Sequence, residues 1–143
     1  MKSKDILACE ELLKEYGYRV TFGRVALLTF LKHSKNPLTV GDIQKGMNHK
    51  IDKVTLYRAL KDFTKSKIVG MINLQDTPIY YEFLYKEHHH HHIVCESCGR
   101  IEDIEPCEQN NLQKEVSRSS ENFSVINSHS LEFFGLCKSC SKK

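Results

Sequence analysis

The sequence predicts an α+β protein in two parts. An N-terminal winged helix-turn-helix occupies residues 1–84, a small C-terminal α/β unit occupies 88–143, and a hinge at 85–87 joins them. Three observations predict this. Helix-type apolar spacing with cap residues recurs four times before residue 66, and two strand-like runs follow. Basic residues crowd the first half: residues 19–67 carry eleven Lys and Arg against three Asp and Glu, whereas 88–143 carry six against eight. The second half opens on E-H-H-H-H-H-I-V-C-E-S-C-G at 87–99 and closes on a second Cys-x-x-Cys knuckle, Cys137 and Cys140. A chain of 143 residues with net charge +3 thus offers a surface for a polyanion in its first half and for cations in its second.

Residues 3–16 set Ile6, Leu7, Leu12 and Leu13 among charges, an amphipathic helix ended by Gly17. Thr21 caps a second helix, striped by Val25, Leu28 and Leu31 and stopped at Asn36-Pro37. Thr39 starts a third, where T-V-G-D forms a capping box with Asp42 in place of the usual Glu or Gln, and Ile43 and Met47 face inward. Asp52 caps a fourth. Its Leu56, Leu60 and Phe63 form a buried seam, and Thr55, Arg58, Asp62 and Lys65 line the opposite stripe beside Lys61. Strand-like runs at 68–74 and 78–84 flank a turn at Gln75-Asp76-Thr77. Helices followed by a hairpin is the order of a winged helix-turn-helix, which makes the basic fourth helix the recognition helix. Arg grips guanine through two hydrogen bonds and Lys neutralises phosphate, so Tyr57 and Arg58 are candidates there. In the second half, 91–95 and 100–104 read as strands around the first knuckle. Residues 106–119 read as a helix with Leu112 and Val116 one turn apart, and 123–137 as strand-rich, with Val125, Leu131, Phe133, Phe134 and Leu136.

The cysteines carry the sharpest chemistry. There are six, with no apolar run long enough for a signal peptide or a membrane span, which argues against a secreted disulfide scaffold and for a reducing compartment, the cytoplasm. Cys9 and Cys107 stand alone. Cys95, Cys98, Cys137 and Cys140 form two pairs able to close a tetrahedral four-thiolate zinc site, structural in kind because no coordination position stays open. Unbound thiols or two disulfides are the competing readings of the same four residues.

The histidine run is internal and runs into a knuckle, unlike an expression tag. In an extended segment His88, His90 and His92 point one way and His89 and His91 the other, so one strand can feed two metal sites. Glu82, Glu102, Asp103, Glu105 and Glu108 lie near in sequence, and His129 stands alone further on. Mixed imidazole and carboxylate sets suit zinc, iron(II) or manganese. His33 and His49 read as ordinary polar residues. There is no H-E-x-x-H helix, Ser/His/Asp set or phosphate loop, so the chain does not read as an enzyme. A metal store or chaperone using the histidines as a sponge is the alternative of another class.

Taken in order, six pieces resemble the ferric uptake regulator (Fur) family: G-Y-R-V-T-F-G-R at 17–24, V-T-L-Y-R-A-L at 54–60, Y-E-F at 81–83, H-H-H-H-H-I-V-C-E-S-C-G at 88–99, H-S-L-E-F-F-G-L-C at 129–137 and the final C-K-S-C. They span nearly the whole chain. The resemblance implies a homodimeric, metal-dependent transcription repressor of metal-homeostasis or oxidative-stress genes, with iron or zinc as corepressor. A peroxide-sensing repressor of the same family is its alternative. The winged helix would read a palindromic double-stranded DNA operator, the C-terminal domain would dimerise, and no membrane is involved. Thr55, Tyr57 and Arg58 fall on the family's recognition-helix motif and Arg24 on its V-T-x-x-R motif. The four paired cysteines match its structural Zn2+ site. Glu82, His90, His92 and Asp103 match its regulatory site between the domains, for Fe2+ or Zn2+ with Mn2+ a further candidate. His89, His91, Glu108 and His129 match a second site inside the dimerisation domain. There are departures. The loop S-K-N-P-L-T before the third helix lacks the histidine the family often places there, and His33, near the end of helix two, is the nearest substitute. The spacing from Glu82 to Cys95 is slightly long, His91 stands where several iron-type members have Asp, and Cys107 is an extra soft ligand close to the acidic run.

Overall fold

The computed structural model describes residues 3–73, 78–84, 90–104, 109–127, 129 and 131–143. They fall into two compact units, Met1–Glu87 and His88–Lys143. The expected turn at 75–77 and hinge at 85–87 lie outside the described residues, as do His88, His89, Glu105, Pro106, Cys107 and Glu108.

In the first unit α1 (Ser3–Glu15), α2 (Phe22–His33), α3 (Val40–Gly46) and α4 (Lys53–Lys65) form where apolar spacing and caps place them. Each cap has a mechanism. The Thr21 hydroxyl accepts from the Arg24 amide at 3.4 Å. Thr39 accepts from the Asp42 amide at 3.1 Å while the Asp42 carboxylate accepts from the Thr39 amide at 3.0 Å, closing the capping box. Asp52 accepts from the Thr55 amide at 2.9 Å. After α1, Gly17 turns the chain at φ +72°, which a side chain would strain.

The helices bury one shared face. Leu56, Leu60 and Phe63 of α4 are at most 1% exposed, as the seam predicts. They join an eighteen-residue buried cluster that includes Leu12, Leu13, Leu28, Leu31 and Ile43. The first helix departs from expectation at one position: Leu7 is 56% exposed, and Cys9, three residues after Ile6, completes the inward stripe instead. A short strand that periodicity does not reveal, β1 (Leu38–Thr39), pairs antiparallel with β3 (Tyr80–Phe83). β3 in turn pairs with β2 (Val69–Ile72), giving the order β1-β3-β2.

The second unit holds β4 (His91–Cys95), β5 (Ile101–Ile104), α5 (Gln109–Ser119) and β6 (Glu132–Gly135). The sheet order is β5-β4-β6, with β4 antiparallel to β5 and parallel to β6. Of the strand-rich stretch expected at 123–137, strand forms at 132–135 among the described residues. The reason is local. The Ser120 hydroxyl accepts from the amides of Asn122 and Phe123, and Ser117 donates to the Ser124 carbonyl, so the chain after α5 is held in turns. Phe123 and Val125 lie off the sheet, each 67% exposed. No described helix is long and apolar enough to cross a membrane.

Candidate metal centres and DNA-reading face

The parallel pairing of β4 and β6 builds the cysteine cluster. Its register sets Cys95 beside Gly135, and the Glu96 amide donates to the Gly135 carbonyl at 2.8 Å. The chain leaving β6 therefore delivers Cys137 directly over the first knuckle. There the Cys137 amide donates to the Cys95 sulfur at 3.3 Å, and the sulfurs of Cys98 and Cys137 stand 3.8 Å apart. All four sulfurs lie within 4.8 Å of one another. Zinc–sulfur bonds of ~2.3 Å in a tetrahedron set the sulfur–sulfur edge at roughly 3.8 Å, so the spacing fits the metal. It does not fit a disulfide between Cys98 and Cys137, whose bond would be ~2.05 Å. Gly99 closes the first knuckle at φ +73°.

The ionisation of these thiols tells the same story. Amide hydrogen bonds from Cys137 and Cys98 pull the Cys95 thiol down to about 6. The Ser97 hydroxyl draws Cys140 down, but Cys137 and Cys98 together outweigh it and push Cys140 up to about 11. The Cys140 amide, foremost, draws Cys137 down as well, so two thiolates are favoured in the cluster and that of Cys140 is not. A divalent cation is what would let all four ionise.

β4 also orders the histidines. His91 and His92 are consecutive, so their rings leave opposite faces of the strand, yet both are buried, at 5% and 7% exposure. His92 meets the His90 ring edge-on at 5.0 Å between centroids. It also lies beside Asp103, its partner in the ladder, with Nε2 3.7 Å from the carboxylate. His90, His92 and Asp103 offer ligand atoms within 4.8 Å of one another. On the other face His91 Nε2 faces His129 Nε2 at 3.3 Å, with Phe133 against the His91 ring. Zinc–nitrogen bonds of ~2.0–2.1 Å set a tetrahedral nitrogen–nitrogen edge of roughly 3.4 Å, which this separation fits. Burial, then the like charge of His129, lowers the His91 pKa, keeping the ring in the neutral form a metal needs. The division of the run between two faces is thus realised at His90 and His92 against His91. His89 and Glu108 of the second set lie outside the described residues.

Glu82 sits on β3 opposite Gly70, where a Cβ on Gly70 would come within 3.1 Å of the Glu82 side chain. His33, the proposed stand-in for the missing loop histidine, is engaged elsewhere: its Nε2 lies 3.2 Å from Asp5, which also takes Lys32 at 3.0 Å. The Lys32 hydrogen bond, foremost, holds the Asp5 carboxyl below its usual range.

The exposed face of α4 presents Tyr57, at 48% exposure, and Arg58 to solvent. The Thr55 hydroxyl is turned back onto the Asp52 carboxylate. Arg24, of the expected set, is paired within the protein: its Nη2 contacts Asp62, on the outward stripe of α4, at 3.1 Å. Periodicity missed this pairing because the partners are 38 residues apart. The available signal was an acid set in a basic stripe.

The comparisons with known proteins agree with this layout. The pattern of the ferric uptake regulator family matches residues 15–134. The chain is 31% identical over 146 residues to the peroxide operon regulator of Bacillus subtilis, covering 100% of this chain and 98% of that protein. It is 30% identical over 134 residues to a peroxide-responsive repressor of Staphylococcus aureus, covering 92% and 88%. The fold resembles the Helicobacter pylori ferric uptake regulator, described as having three functional metal binding sites, with TM-score 0.79 and 25% identity over 100% of this chain and 96% of that one.

Proposed function

We propose, from the premise that the chain belongs to the ferric uptake regulator family of DNA-binding transcription regulators and is not an enzyme, that it is a metal-dependent repressor released from DNA by peroxide. The names of the relatives matched along nearly the whole chain support the peroxide branch. The observation that carries the metal dependence is on β4: two adjacent histidines, both buried, each beside a second ligand on its own face.

The proposed regulatory set is His90, His92 and Asp103, with Glu82 included on the sequence resemblance. The second set is His91 and His129, with His89 and Glu108 included on the same ground. The four cysteines take Zn2+. Nitrogen and oxygen donors suit Fe2+, Zn2+ or Mn2+ in the regulatory set. Iron there would supply the redox chemistry with peroxide. The protein's part is to hold two imidazoles and a carboxylate together, His92 buried and Asp103 half-exposed. Ligands drawn from both sides of the 85–87 hinge would favour one arrangement of the chain. Shifting such an equilibrium from 1:99 to 99:1 takes about 5.5 kcal/mol of differential metal binding.

Thr55, Tyr57 and Arg58 are the proposed DNA-contacting residues. A homodimer would present two such faces to a palindrome. Exposed apolar side chains on the second unit support it: Phe133, Phe134 and Leu136 are 47–58% exposed, and Phe123 and Val125 are each 67% exposed.

The test begins with a duplex selected from random sequence by the wild-type chain. Binding is titrated with Fe2+-, Mn2+- and Zn2+-loaded protein, before and after peroxide. The expected result is that iron-loaded protein lets go after peroxide and its 90–92 peptide gains the mass of one oxygen, while zinc-loaded protein stays bound. Equal affinity in the presence of chelator would sink metal gating. Metal-dependent binding untouched by peroxide would return the chain to the iron- or zinc-sensing reading, with the metal itself as corepressor.

A further inference from the structure

Asp62 is out of place. It lies on the outward stripe of α4, among Arg58, Lys61 and Lys65, where a carboxylate would repel phosphate. The structure shows what occupies it. Arg24, in the first turn of α2, brings Nη2 to its carboxylate at 3.1 Å. The same guanidinium gives Nη1 to the Arg19 carbonyl at 3.1 Å and lies 5.4 Å over the Tyr18 ring. Tyr18 closes the circuit: its hydroxyl donates to the Asp62 backbone carbonyl at 2.8 Å, and its ring meets Phe63 edge-on at 5.6 Å. One short segment, 18–24, therefore holds Asp62 by side chain and backbone together.

We propose that Tyr18, Arg24 and Asp62 form a latch that fixes the rotation of α4 about its own axis, and that Arg24 acts on DNA through this latch rather than by touching a phosphate. The inference rests on α4 being the reading helix. A helix with side chains is about 5–6 Å in radius, so a rotation of ~15° moves a side-chain tip by ~1.5 Å. That exceeds the distance tolerance of a hydrogen bond to a base edge. Two grips on one residue, both made from outside α4, resist such rotation. The seam of Leu56, Leu60 and Phe63 opposes it less, because apolar packing is not directional. The ion pair also neutralises the one acid on the face. Arg24 is thus a positioning residue, and the charge it carries is spent inside the protein.

The two roles predict different salt dependence. Removing a phosphate contact lowers the magnitude of the slope of log K against log salt by about 0.9. Removing a strut leaves that slope as it was. The experiment uses the full metal-loaded chain and a duplex it selects from random sequence, with affinity measured from low to moderate salt. The variants are Arg24→Met, Asp62→Asn, their double and Tyr18→Phe. The latch predicts a loss of roughly tenfold or more for Arg24→Met and for Asp62→Asn, a double variant no weaker than the worse single, and an unchanged slope for all. Affinity for a scrambled duplex should hardly change. Tyr18→Phe, which alters no charge and keeps the ring, should lose affinity in the same direction.

A shallower slope for Arg24→Met, tighter binding by Asp62→Asn, or additive losses in the double would overturn the latch and make Arg24 a phosphate ligand. Full affinity in Arg24→Met would overturn the latch as well, without making Arg24 a phosphate ligand. Circular dichroism and the melting temperature identify a variant that unfolds, and Tyr18→Phe then decides the matter. Arg58→Ala separates this idea from its premise: if that change leaves affinity intact, α4 is not the reading helix, whereas a failed latch leaves the Arg58 loss in place.

Discussion

The two units solve the problem of stability differently. The first closes on itself: eighteen buried side chains form one cluster, and Leu13, Leu27, Leu28, Ile43 and Phe63 are fully enclosed. In the second, among the described residues, the buried apolar side chains are Val94 and Cys95, accompanied by His91 and His92. Nine of its large apolar side chains, from Ile93 to Leu136, are at least 36% exposed. A unit of this size with so little core needs a staple and a cover. The cysteine cluster at the join of β4 and β6 supplies the first when zinc fills it, and a second copy of the chain would supply the other. On the proposed function, the unit that would bind metal is the one with the thin core, and the unit that would read DNA has a core of its own.

Removing the zinc ligands should break this contrast most sharply. Cys137→Ser or a strong chelator takes away a site worth roughly 10–16 kcal/mol in apparent binding energy for small zinc folds. The expected outcome is loss of β6 pairing, loss of the proposed dimer on gel filtration, and survival of most of the helical signal, because α1–α4 lie in the first unit. Heating should then give one transition that moves with chelator and one that does not. A single transition that chelator shifts as a whole would show that the first unit borrows its stability from the second.

The converse change should strike the first unit. Phe63 is fully buried, belongs to the seam of α4 and meets the Tyr18 ring. Phe63→Ala is expected to cost ~3–5 kcal/mol. The chelator-independent transition should fall steeply while zinc content, measured by metal analysis, stays at the wild-type value. Lost zinc in this variant would mean that the second unit's metal site is not built by that unit alone.

The same contrast explains what could be read beforehand. The four helices of the first unit were legible because each begins with a side chain that caps it, Thr21, Thr39 or Asp52, or ends at a glycine, and because their apolar faces are buried within the unit. The short strand β1 was not, since two residues carry no period and their partners, Tyr80 and Tyr81, lie about forty residues on. Leu7 misled because apolar character alone does not fix a side of the helix. In the second unit the chemistry was plain and the structure less so. Cys-x-x-Cys spacing names its metal site, and alternation along a strand divides His90 and His92 from His91. Phe123 and Val125 read as strand because hydrophobicity marks burial in an assembly as readily as pairing within a chain. The Arg24–Asp62 pair left one trace, an acid in a basic stripe, for pattern reading treats a helix's outer stripe as solvent-facing and carries no knowledge of distant partners.

The smallest effect tests whether the first unit's independence reaches down to a single cap. The Thr39 hydroxyl and the Asp42 carboxylate satisfy each other's amides at the start of α3, and Asp42 takes the Thr39 hydroxyl as well, at 2.6 Å. That hydroxyl, and then the Thr39 amide, hold the Asp42 carboxyl below its usual range. A carboxyl depressed in the folded state adds stability when ionised, and the gain is lost as pH falls from the ordinary carboxylate range through the lowered folded value. Thr39→Ala removes the hydroxyl and should cost about 1 kcal/mol at neutral pH. The deficit should shrink as acid protonates Asp42 in the wild-type protein, because the advantage the variant lacks is then disappearing in both. The reading is taken on the chelator-independent transition, since acid also strips thiolate-bound zinc. A deficit that stays constant through the acid range would assign the cost to helix propensity at position 39 and leave the Asp42 carboxylate no part in it.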